Sequence, residues 1–166
     1  VSGGAAPATE TIPFYIDVGG TGGAFGGQTF DASRGEVSGT YYSTSDTSAI
    51  ASTDDDALYQ KHTELSSLST DNLKFHYNVP NDTYTVAFLS YDSYYGDEVT
   101  YNGTTAYRAF TVIVNGVTKF SNNFDPYVKA GSAANTAYVE RMGSIVIADG
   151  SLDIEFQLGT SNPDNK

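Results

Sequence analysis

Residues 73–90 read LKFHYNVPNDTYTVAFLS, and the alternation inside this stretch decides the fold class. From Leu73 to Val79 every second residue is apolar: Leu73, Phe75, Tyr77 and Val79 fall on one face, Lys74, His76 and Asn78 on the other. A period of two is that of a strand with one side on a core and one side in water. The run Tyr84–Leu89, YTVAFL, is nearly all apolar, as expected of a strand covered on both sides. Pro80, Asn81, Asp82 and Thr83 stand between the two runs and carry turn chemistry, so a hairpin is expected.

The same pattern repeats outward in both directions. FYIDVG (Phe14–Gly19) is β-rich and closes at Gly19-Gly20. YRAFTVIV (Tyr107–Val114) ends at Asn115-Gly116, the strongest short hairpin signal, with VTKFSNNF as its partner. YVERMGSIVI (Tyr138–Ile147) turns at Asp149-Gly150 into SLDIEFQL (Ser151–Leu158), whose Leu152, Ile154, Phe156 and Leu158 share one face. No segment keeps a helical period for two turns; the best candidate, Asp54–Leu65, lacks an apolar stripe. Many short strands with turns between them predict an all-β protein, a two-sheet β-sandwich of jelly-roll type. Residues 19–58 are rich in glycine and serine and poor in apolar residues, and a loop of that length is expected to be functional or poorly ordered.

Composition bounds the function. At 166 residues, 39% hydrophobic and 13% aromatic, the chain suits one folded domain. VSGGAAPATET reads as a linker, which gives residues 1–12 as linker and 13–166 as domain. There is no cysteine, and a core of this size needs no disulfides. Against 20 Asp and Glu stand only 8 Lys and Arg, for a net charge of −12. That field repels phosphates, so nucleic acid and anionic membranes are excluded as partners. The apolar runs fall short of the ~18–20 residues a membrane helix needs. Few lysines among many Asp, Thr, Ser, Gly and Asn suggest a secreted or cell-surface protein, and the small-residue start suggests a larger parent with other domains.

Catalytic signals are few. His62 and His76 stand in no metal spacing, and there is no G-x-S-x-G, P-loop or H-E-x-x-H. Twenty carboxylates supply chance pairs resembling a glycosidase acid and base, but no spacing selects one. Thr53-Asp54-Asp55-Asp56 lacks the alternating ligand pattern of a calcium loop and reads first as a solvated acidic turn. Two N-x-T sequons, at Asn81 and Asn102, lie in expected loops.

The tyrosines are more informative: 13 Tyr and no Trp. Tyr15, Tyr77 and Tyr84 belong to expected strands. Tyr41, Tyr42, Tyr94, Tyr95 and Tyr101 fall in expected loops among Gly, Ser, Thr and Asp. A phenol ring offers a flat apolar face and a hydroxyl that both donates and accepts. A pyranose has the matching surface, and a neighbouring carboxylate such as Asp92 can accept two sugar hydroxyls.

Read in order, IDVGG, ALYQ (Ala57–Gln60), FHYNVPNDTYTVAFLSYDSYY, YRAFTVIVNGVTKFSNNFDPYVKAG and SLDIEFQLGTSNPD resemble the malectin and malectin-like carbohydrate-binding domains over residues 15–164. The resemblance implies a jelly-roll sandwich that binds glucose-containing oligosaccharides through loops at one end. It places the aromatic pair of the family on Tyr94 and Tyr95, the acidic residue before it on Asp92, and an upstream tyrosine near Tyr41 or Tyr42. The tyrosine after L-Y-Q is missing, with Glu64 or His62 in its place, and the aspartate beside N-P is represented by Asp164. No cofactor is implied as required, and a structural Ca²⁺ is compatible with the acidic composition. The function implied is non-catalytic binding of an oligo- or polysaccharide; an adhesion or spacer module is the alternative, and a polysaccharide-degrading enzyme ranks third.

Overall fold

The computed structural model describes residues 9–32, 37–38, 41–65, 72–92, 100–101, 104–105 and 110–158. In chain order these form β1 (Ile16–Asp17), β2 (Gly23–Phe25), β3 (Gln28–Ala32), β4 (Val37–Ser38), β5 (Tyr41–Ser45), α1 (Asp56–Gln60), β6 (Lys61–Leu65), β7 (Leu73–Asn78) and β8 (Asp82–Ser90). They continue as β9 (Thr100–Tyr101), β10 (Thr104–Thr105), β11 (Phe110–Val114), β12 (Val117–Phe124), α2 (Pro126–Lys129), β13 (Tyr138–Ile147) and β14 (Ser151–Leu158). The fold is a β-sandwich, as the alternation predicts.

One layer is a five-stranded sheet ordered β12-β11-β14-β7-β4; the other is built on the antiparallel pair β8–β13. The core lies between them. Leu73, Phe75 and Tyr77 of β7, Val112 and Val114 of β11, Phe124 of β12, and Leu152 and Ile154 of β14 meet Val86 of β8 and Met142, Ile145 and Ile147 of β13. Burial in β7 follows the sequence reading residue by residue, with Lys74 and His76 outside. His76 Nδ1 lies 2.7 Å from Asp153 Oδ1 on that exposed face.

The expected hairpin between β7 and β8 does not form. β7 pairs with β14 and β4, and β8 pairs with β13. Val79, Pro80 and Asn81 therefore carry the chain from one sheet to the other. The return crossing, from β13 to β14 through Asp149-Gly150, runs beside it. Asn81 fastens the two crossings together: its Nδ2 donates to the Ala148 carbonyl at 3.0 Å and its Oδ1 accepts the Gly150 N–H at 2.8 Å. Val79 N–H donates to the Gly150 carbonyl at 2.9 Å. YTVAFL is likewise covered on one side only: Val86 is buried, while Thr85, Ala87 and Leu89, the last 38% exposed, face outward.

The Asn115-Gly116 hairpin forms as expected between β11 and β12, with both residues at positive φ, 46° and 72°. Asn115 also grips β14, its Nδ2 donating to the Ser151 carbonyl at 2.9 Å and its Oδ1 accepting the Asp153 N–H at 2.8 Å. The Phe14–Gly19 run is regular only over β1. Residues 19–58 are no single loop: they hold β2 to β5, with the Gly26-Gly27 turn (φ 54° and 78°) joining β2 to β3. Asp54–Leu65 divides into the one-turn helix α1 and strand β6. Glu10 N–H donates to the Asn78 carbonyl at 2.7 Å, so the last residues of the expected linker touch the sheet.

Candidate functional site

β8 runs from the Asn81 corner to the opposite end of the sandwich. There Ser90 pairs with Tyr138 at the start of β13, and Tyr91 meets His62 of the β5–β6 ladder, on whose main chain Gly19 packs.

The glycine motif is built around Asp17, which is 4% exposed. Its Oδ2 accepts the Gly22 N–H at 3.0 Å. A Cβ on Gly20 would lie 1.9 Å from that same oxygen. Gly19, at φ +91°, packs on main chain: a Cβ there would stand 2.7 Å from the carbonyl carbon of His62. Both glycines are thus required by close approach, and Gly19 also by conformation. Burial raises the Asp17 carboxyl above its ordinary value, opposed by the Gly22 hydrogen bond and the charge of Lys61.

β6 holds His62 next to one end of its ladder with β5. Tyr42 stands opposite Glu64 and Thr44 opposite His62. Tyr41 and Tyr42 therefore lie on a strand, not in the loop expected from their glycine- and serine-rich surroundings, because β6 supplies main-chain partners that a local reading cannot see. The imidazole of His62 meets Tyr91 edge-on, with ring centroids 5.1 Å apart at 90°, and Nδ1 lies 3.3 Å from the Tyr91 hydroxyl. On another side Tyr91 meets Tyr59, the buried residue of α1, at 6.5 Å and 87°. Burial, reinforced by the charge of Asp55, raises the Tyr59 phenol above its ordinary value and keeps it neutral.

Asp92 is 2% exposed, and its carbonyl accepts the Asn135 N–H at 2.8 Å. The carbonyl of Asn135, a residue at φ +47°, in turn accepts the Ala51 N–H at 2.7 Å, and Ala51 forms a parallel bridge with Thr136. The residue expected to greet a sugar with its carboxylate is thus buried here.

Of the residues expected to bind, the structure sets Tyr42 opposite Glu64 and Tyr41 opposite Leu65 in the β5–β6 ladder, which His62 joins to Tyr91, and puts Asp92 directly after Tyr91, two residues beyond the end of β8. Tyr94, Tyr95 and Asp164 lie outside the described residues. Tyr101 belongs to the short β9–β10 ladder. The Tyr59–Tyr91–His62 cluster joins residues 29 positions apart and more; only the place of His62 after L-Y-Q hinted at it. In the acidic run, Asp55 N–H donates to Thr53 Oγ1 at 3.0 Å and Asp56 opens α1. Among the described residues no three His, Asp or Glu side chains converge on a metal-holding geometry, and no helix is long and apolar enough to cross a membrane.

A two-layer β-sandwich whose glycine loop, L-Y-Q helix and strand-end carboxylate meet at one end defines a class of binding module. The malectin domain matches residues 14–163, and the chain belongs to that family, a carbohydrate-binding fold. No curated protein matches the sequence. Among solved structures, the plant receptor-like kinase ANX2 superposes with a TM-score of 0.68 at 14% identity, over 92% of this chain and 44% of that one. The ANXUR1 extracellular domain from Arabidopsis thaliana gives 0.65 at 15% identity, again over 92% and 44%. A Bacteroides uniformis β-glucuronidase gives 0.66 at 15% identity, over 89% of this chain and 16% of that one. At these identities the likeness is one of fold. The chain spans less than half the length of each of these proteins.

Proposed function

We propose that this chain is a non-catalytic carbohydrate-binding module that takes a glucose-containing oligo- or polysaccharide at the end of the sandwich where β5, β6 and the end of β8 meet. The observation that carries this reading is membership of the malectin family across nearly the whole chain. The structure supports it by setting Tyr42 opposite Glu64 and joining their ladder to Tyr91, next to Asp92. Tyr94 and Tyr95 form the stacking platform, Tyr41 and Tyr42 extend it, and Glu64 and Asp164 accept sugar hydroxyls, while Asp92, 2% exposed, supports this end from within by holding the Asn135 main chain.

The chemistry is that of a neutral polar ligand. Each sugar hydroxyl trades a bond to water for one to protein, so the net gain per contact is small. Few rings stack, and the affinity falls on the order of micromolar to millimolar. The field of a −12 chain leaves a neutral glycan unopposed. Because the domain matches only part of larger proteins, one of them an extracellular domain, the parent is a multidomain secreted or cell-surface protein.

A glycan array with the isolated domain, followed by titration of the hits into wild type and Tyr94→Ala, tests the reading. Binding by wild type with loss of most affinity in the variant is expected. Equal binding by both removes Tyr94 from the site, and silence across glucans, galactans and mannans favours an adhesion or spacer module.

A further inference from the structure

We propose that His62 is a positioning residue of this end of the molecule, fixing the strand that carries Glu64 relative to Asp92 through the hydroxyl of Tyr91. The inference rests on the carbohydrate reading for its consequence but not for its geometry.

The need for such a link follows from the topology. β6 takes its ladder bonds from β5, and β8 takes its own from β13. No ladder joins β6 to the end of β8 among the described residues. A ligand held by groups on both elements needs their separation fixed, because hydrogen bonds weaken steeply with distance and angle.

His62 is built for that task from three sides. Its main chain is pinned by Gly19, which approaches so closely that a Cβ would stand 2.7 Å from the His62 carbonyl carbon and 2.8 Å from its oxygen. Its ring is planar and short, and Nδ1 lies 3.3 Å from the Tyr91 hydroxyl. Tyr91 is braced on a second side by Tyr59, whose ring stands at 87° to it. The two aromatic contacts would be kept by a phenylalanine at 91, while the bond to His62 would be lost. Asp92 follows Tyr91 directly, and Glu64 is two residues beyond His62, so the link sits between them.

The experiment uses the whole chain in four forms: Tyr91→Phe, His62→Ala, His62→Asn and the double variant Tyr91→Phe/His62→Ala. Maltose, cellobiose and laminaribiose are titrated into each, and the amide resonances of Thr63 and Asp92 are followed by NMR. Tyr91→Phe and His62→Ala should each weaken sugar binding about three- to tenfold, the loss expected of one hydrogen bond. The double variant should bind no more weakly than His62→Ala alone, since both changes remove the same link. His62→Asn, whose side-chain amide reaches the position of Nδ1, should recover most of the affinity. Unchanged affinity in both single variants, or losses that simply multiply, overturns the proposal.

If wild type binds none of the three sugars, the carbohydrate reading is what suffers, and the resonances decide the link by themselves. Tyr91→Phe should then shift the Thr63 amide, and His62→Ala the Asp92 amide, with His62→Asn returning it toward wild type. Resonances that stay in place overturn it. Should His62→Ala fail to fold, Tyr91→Phe, which removes one oxygen atom, decides between the same two outcomes.

Discussion

Asp17 shows how a single residue carries both local order and pH dependence. Its carboxylate organises the glycine turn by accepting from Gly22, yet its burial raises its pKa. A raised carboxyl pKa means that the folded chain holds this proton more tightly than the unfolded chain does. The contribution of Asp17 therefore favours the fold at low pH and is lost as pH rises through the raised value. Asp17→Asn keeps an acceptor for Gly22 and removes the buried charge. Thermal melts should show variant and wild type nearly equal near pH 3, with the variant gaining relative to wild type toward pH 7. Wild type gaining on the variant from acid to neutral would mean that the Gly22 hydrogen bond and the attraction of Lys61 together outweigh burial.

At the scale of elements, two asparagines hold the start of β14 from opposite sides. Asn81 grips Ala148 and Gly150, and Asn115 grips Ser151 and Asp153. Each makes a pair of bonds to main chain that no ladder satisfies at the corner. Asn81→Ala should cost about 1 kcal/mol, because water can reach the freed groups. Asn115→Ala should cost roughly 2 kcal/mol, since it also puts a Cβ residue with no local hydrogen bond at φ +46°. Urea titrations of both variants measure this, and equal costs would mean that the left-handed conformation adds nothing. β13 has a device of its own. Its pairing with β8 shifts between Met142 and Ile145, with Ser144 at φ 58°. The bulge puts Gly143 and Ser144 both outside and lets Met142 and Ile145, three residues apart, both face the core.

For the whole molecule, stability rests on the space between the two sheets. Phe124, 1% exposed, stands where β12 meets the second layer, with Phe88 of β8 at 4.9 Å and Tyr138 of β13 at 6.4 Å between ring centroids. Phe124→Ala should cost about 3–5 kcal/mol, a large share of the roughly 5–15 kcal/mol that holds a domain together. Equilibrium unfolding by denaturant checks it; a loss under about 1 kcal/mol would place the core elsewhere. The end opposite the Asn81 corner draws on the same rigidity, since β8 packs Val86 and Phe88 on the core and leads directly into Tyr91 and the buried Asp92.

Strands and their inward faces are legible in the order of residues. Leu73, Phe75, Tyr77 and Val79 alternate, Asn115-Gly116 forces a two-residue turn, and Leu152 and Ile154 share a face, all because period and turn chemistry are local properties. Family membership is legible as well, through motifs spread in order along the chain. Which strands are neighbours became visible only in three dimensions. Two amphipathic strands joined by a short turn bury the same alternate residues whether they pair edge to edge or face each other across a core, so the hairpin expected of 73–89 and the crossing that forms there look alike in sequence. For the same reason Tyr41 and Tyr42 read as loop residues until β6 came alongside, and His62 and Tyr91 read as unrelated. Hydrogen bonds between distant segments leave no trace in the periodicity of either one.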